Sequence, residues 1–132
     1  AAFWNDTTPT ASVFSVKTTD TVNGNNNTFV AHLFATLDGI SKVGSVSHSG
    51  TTNVDCGFTS GARFVMLKRT DAASDWYLWD SVRGIVAGND PYLLINTNGA
   101  EVTNTDFIDP LNAGFTIADD LTDGDYIFYA VA

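Results

Sequence analysis

Residues 63–84 constrain the fold more than any other stretch. They open with Arg63-Phe64-Val65-Met66-Leu67-Lys68-Arg69, pass through the polar Thr70-Asp71-Ala72-Ala73-Ser74-Asp75, and continue as Trp76-Tyr77-Leu78-Trp79-Asp80-Ser81-Val82-Arg83-Gly84. Two runs of large β-forming residues split by a short polar loop predict a β-hairpin. Strand alternation puts Phe64 and Met66 on one face, with Val65 and Leu67 on the other. Trp76 and Leu78 likewise oppose Tyr77 and Trp79. Both faces are apolar, which predicts a central hairpin with cover on each side.

The rest of the chain suits the same class. Short β-rich runs are expected at Ser12–Val16, Thr28–Ala35, Ile40–Ser49, Pro91–Asn96, Glu101–Thr105, Gly114–Ala118 and Tyr126–Ala132. Turn signals separate them at Asn23-Gly24, Asp38-Gly39, Ser49–Asn53, Asn98-Gly99, Asp109-Pro110 and Asp123-Gly124. No segment carries an apolar period of 3.6. About eight or nine short antiparallel strands therefore predict an all-β, jelly-roll-like β-sandwich. A chain of 132 residues forms one domain that buries about 68% of its unfolded surface. We expect that domain over 12–132, preceded by an extended arm, 1–11, in which Phe3 and Trp4 are aromatic anchors. The pair of runs at 13–16 and 28–35 echoes the pair at 114–117 and 126–132. Such an echo arises by chance between hairpins or from an array of related modules.

Net charge is −9, and it is unevenly placed. Residues 1–83 carry six bases and seven acids, whereas 84–132 carry eight acids and no Lys or Arg. This balance argues against a nucleic-acid partner. Its ordinary reading is solubility in a crowded or salty medium; the sharper one has Arg63, Lys68, Arg69 and Arg83 meet the acidic C-terminal part on a neighbouring copy. No apolar run approaches the ~20 residues of a membrane helix, so membrane insertion is not expected. The chain opens on Ala1 without Met or a signal-peptide pattern, which suggests a cut N-terminus.

Residues with catalytic chemistry are few. Cys56 is the single cysteine, and its neighbours Val54 and Phe58 predict a buried thiol. His32 and His48 lack ligand-like spacing, and no nucleophile-elbow, zincin or phosphate-loop motif occurs. Asp119, Asp120, Asp123 and Asp125 are the candidate oxygen ligands for calcium, though their spacing fits no EF-hand. The more ordinary reading is an acidic turn, and no cofactor is expected. Trp76, Tyr77 and Trp79 suit sugar stacking in type. With both hairpin faces apolar, at least two of the three are expected in the core.

Three motifs carry a resemblance: Phe64-Val65-Met66-Leu67-Lys68-Arg69, Asp75-Trp76-Tyr77-Leu78-Trp79-Asp80-Ser81-Val82-Arg83-Gly84, and Tyr92-Leu93-Leu94-Ile95-Asn96-Thr97. With Gly114-Phe115 and Tyr126-Ile127-Phe128-Tyr129-Ala130, they resemble a module of tailed-phage virion proteins, tail-fibre-like or otherwise on the particle surface, of the marine-phage type. The resemblance covers about 40–132 well and 3–36 more loosely. It implies a non-enzymatic structural protein at the particle surface, in a tail fibre, head fibre or capsid decoration. Its partners would be other copies of itself, other virion proteins and a host surface glycan. The alternative is a carbohydrate- or receptor-binding module. A glycan hydrolase is a third reading, and it would need two carboxylates ~5–9.5 Å apart.

Overall fold

The computed structural model describes residues 3, 5–10 and 12–132. The chain divides into two compact units, Ala1–Leu33 and Phe34–Ala132. All eight strands belong to the second: β1 Ser41–His48, β2 Thr52–Asp55, β3 Phe64–Arg69, β4 Trp76–Asp80, β5 Leu93–Leu94, β6 Ile108–Leu111, β7 Gly114–Ile117 and β8 Gly124–Val131. They form a five-stranded sheet of order β1-β8-β3-β4-β5 and a three-stranded sheet of order β2-β7-β6, both antiparallel. The pairing of β1 with β8 encloses that of β2 with β7 in sequence, the nested pattern of a jelly roll. The chain is thus an all-β sandwich, as expected.

The central hairpin forms as β3 and β4, in the register Val65 opposite Trp79 and Leu67 opposite Tyr77. On the inner face Val65, Leu67 and Trp79 are completely buried, each with 0% exposure. They join Tyr126, Phe128 and Ala130 of β8 and Ile108, Phe115 and Ile117 of the small sheet in one core. Phe115 and Phe128 meet edge to face across the two sheets, with ring centroids 5.6 Å apart. Beside them Tyr77 stacks on Trp79 at 5.6 Å, and Tyr92 stacks on Phe107 at 5.5 Å. Two of the three hairpin aromatics therefore serve the core, and Trp76 lies on the opposite face. Cover is complete on one side of the hairpin and partial on the other.

Several expected elements differ. Ser12–Val16 and Thr28–Ala35 are not strands, so the echo with 114–117 and 126–132 has no structural counterpart. Phe29, Val30, Leu33 and Phe34 fall at adjacent pairs rather than alternating, so a strand there would need apolar cover on both faces. Asn23 ends a single helical turn, α1 Asp20–Asn23, instead of a hairpin tip. Just before β1, Ala35–Leu37 is fastened to the start of that strand. Leu37 and Ser41 exchange backbone bonds of 2.9 and 2.8 Å, and Ser41 Oγ donates to the Ala35 carbonyl at 2.8 Å. Pro91–Asn96 shrinks to β5 with a bridge from Tyr92 to Val102, and only that bridge stands for Glu101–Thr105. Asp109-Pro110, expected as loop, lies within β6. That strand is an edge, where a missing N–H is tolerated. β2 also begins inside the expected 49–53 loop.

The described residues of unit 1 form no comparable interior. Among its described residues only Gly24 is buried. Lys17 pairs with Asp6 at 2.9 Å, and Lys17 N donates to the Phe3 carbonyl at 2.9 Å.

Candidate functional site

The outward face of the five-stranded sheet is the candidate site. Register places Val43, Tyr129, Met66, Leu78 and Leu93 in one row across all five strands. The next row holds Ser45, Ile127, Lys68 and Trp76. Outward positions on a half-buried sheet are ordinarily polar. Here Val43 is 41% and Ile127 42% exposed, while Met66, Trp76, Leu78, Leu93 and Tyr129 are half-buried. The Phe34 ring lies on Tyr129 at 4.6 Å, and Phe64 meets Tyr129 edge to face at 6.0 Å. Between these side chains opens an almost wholly apolar recess of about 190 Å³, with Trp76, Met66 and Ile127 in its walls.

The face offers contact area rather than chemistry. Its one cation, Lys68, donates Nζ to the Ser74 carbonyl at 2.5 Å, so its ammonium is held at the β3–β4 loop. A sugar would need hydrogen-bonding groups around the stacking ring. These walls supply almost none.

Two of the other expected cations, Arg69 and Arg83, are paired within the chain. Arg69 Nε bonds Asp71 at 2.6 Å, and this contact raises the guanidinium pKa and lowers that of the carboxyl. Arg83 binds Asp80 and reaches Glu101 at 2.9 Å. Arg63 is exposed and Phe3 is 47% exposed, while Trp4 lies outside the described residues.

The acidic turn works as an internal clamp on the β1–β2 connection. Ser47 Oγ donates to Asp125 at 2.6 Å, while Ser49 Oγ and Gly50 N donate to Asp123, each at 3.1 Å. His48 is buried in the same clamp. Its Nε2 lies 2.9 Å from the Leu121 carbonyl, which only accepts, so that nitrogen carries the proton. Among the described residues no three His, Cys, Asp or Glu side chains are placed to hold a metal ion. Asp119, Asp120, Asp123 and Asp125 therefore do not assemble into an ion cage. Cys56 is buried, its thiol pushed up to about 11 by desolvation, so it is not a thiolate at neutral pH.

One buried acid was not legible as special. Asp90 has 0% exposure, and its Oδ1 accepts the Val86 N–H at 2.8 Å. Burial pushes its carboxyl up to about 6, and nearby Asp106 is raised by the same cause. Between an unfolded pKa of ~3.9 and a folded value of about 6, the native state holds a proton that the unfolded chain has lost. Stability from this group is full below ~4, falls as pH rises, and is lost above the folded pKa. Lowering pH from 7 to 5 should stabilise the domain by about 1 kcal/mol through Asp90. Asp90→Asn should keep the Val86 contact and remove that increment in paired urea titrations. An unchanged pH increment in the variant would refute the assignment.

The face was partly visible in sequence. Ile127 and Tyr129 alternate with Tyr126 and Phe128, which marks β8 as apolar on both sides. Register, which aligns Val43 and Leu93 with them, was not.

Residues 1–132 match the profile of a protein family described as Domain of unknown function (DUF7483). No curated protein and no solved structure matches the chain.

Proposed function

The chain belongs to the DUF7483 family, and we propose that it is a non-enzymatic structural module of a virus particle that assembles with copies of itself. The observation that carries the assembly is the apolar outward face of the large sheet. A row of five apolar side chains, with Trp76 and Ile127 beside it, is a larger patch than isolated surface residues explain. The virion assignment rests on the resemblance of the Trp76–Gly84 stretch and its flanking strands to tailed-phage surface modules. Tail fibre, head fibre and capsid decoration all fit that resemblance, and all place the module on the particle surface. The N-terminal arm, with Phe3 and Trp4, joins the same contacts between copies and other virion proteins.

Carbohydrate or receptor binding is the second reading. It draws on Trp76, half-buried at the recess. The dry walls of that recess weigh against it. Antibody against the module should decorate intact particles, and the purified chain should self-associate. Glycan binding that is lost in Trp76→Ala, together with a monomeric chain, would replace the first reading by the second.

A further inference from the structure

Each of the two units, taken by itself, presents an apolar surface that its own described residues leave open. One is the outward face of the large sheet, whose recess is lined by residues of unit 2 alone. The other belongs to unit 1, where Phe3, Val13, Phe29, Val30 and Leu33 are exposed, Val30 at 80% and Leu33 at 75%. A segment whose described apolar side chains stay exposed gains little against the entropy of its own ordering. It gains order by burying those side chains elsewhere.

We propose that residues 27–33 of a second copy lie across the outward face of the five-stranded sheet and place an apolar side chain in the recess. This rests on the self-assembly reading and names its contact.

The charge pattern supports this occupant. Between Asp20 and Asp38 the chain has no Asp, Glu, Lys or Arg. Such a segment crosses an apolar face without desolvating a charge. Length fits as well. Residues 27–33 have no helix or strand of their own. Extended, they span roughly 23 Å at ~3.3 Å per residue. Five strands at ~4.8 Å spacing present a face about 19 Å across. Area fits in the same way. Phe29, Val30 and Leu33, the exposed apolar side chains of 27–33, leave on the order of 350 Å² to water, a large share of the ~800 Å² per partner of a standard interface.

Cross-linking between marked copies tests the contact. A size-tagged full chain carrying Leu33→Cys is mixed with an untagged full chain carrying Ile127→Cys. After mild dissociation and reassembly, a short bis-maleimide is added. Buried Cys56 stays silent. The expected result is a tagged–untagged product, absent when Gly99→Cys replaces Ile127→Cys. An oligomer that persists without that product would overturn this contact and leave the assembly reading standing. A link formed only within one doubly substituted chain would assign the face to the chain's own unit 1, and the inference would fail. A monomer throughout would remove the assembly reading as well. Leu33→Asp and Ile127→Asp should each weaken association while unit 2 keeps its native unfolding transition. Neither doing so would also count against the contact.

Discussion

Replacing Trp79 by Ala should cost about 3–5 kcal/mol. The indole has 0% exposure and lies between Tyr77 at 5.6 Å and Tyr92 at 5.6 Å. Val65 opposes it on β3. Its Nε1 has no hydrogen-bond partner among the described residues, so its contribution is packing alone. Ala would leave a void where the surrounding rings, themselves stacked, cannot collapse far. Trp79→Phe should recover a substantial part of the loss, because it keeps an aromatic face against Tyr77. Urea unfolding of the three proteins measures this. A loss below about 1 kcal/mol for Trp79→Ala would show the hairpin to be peripheral.

The second large effect is expected at Gly114, the first residue of β7. A Cβ added there would lie 2.1 Å from the Val54 carbonyl oxygen and 3.0 Å from both Cys56 N and Cys56 Sγ. The first two obstacles are backbone, so β2 must move away from β7. Gly114→Ala should destabilise by roughly 3 kcal/mol, at the upper end for overpacking. Gly99→Ala is the control, since its nearest neighbour is Thr97 Oγ1 at 3.4 Å. That change should fall within about 1 kcal/mol of neutral in the same unfolding assay. Equal effects at both sites would contradict the close β2–β7 approach.

Legibility in the sequence followed a physical divide. The β3–β4 hairpin was clear because both of its strands lie close in the chain and a polar loop joins them. β8 was clear from the Asp123-Gly124 turn and the aromatic run after it. β2 and β6 were missed for a different reason. Val54 is the one apolar anchor in β2, and β6 contains Pro110. What makes them strands is β7, whose two edges they occupy. The reverse error at Thr28–Ala35 has the same root. Its residues have high β propensity, but among the described residues they take no strand conformation.

The site divided along similar lines. Alternation in β3, β4 and β8 gave each strand two apolar faces, yet only register gathers Val43, Tyr129, Met66, Leu78 and Leu93 into one row. The basic residues and the acidic turn drew attention by charge. In the fold Arg69, Arg83 and Asp123 are engaged with groups of their own chain. Composition reports that charges are present, not that they are already satisfied.

Self-assembly through an uncovered apolar face is the central claim, and the mass of the chain in solution tests it most directly. Sedimentation velocity across the micromolar range should give a multiple of the 14.1 kDa monomer. Ile127→Asp should shift the distribution to monomer without unfolding the sandwich, and removal of residues 1–11 should weaken assembly. A chain of residues 1–132 that stays at 14.1 kDa at every concentration would contradict the account.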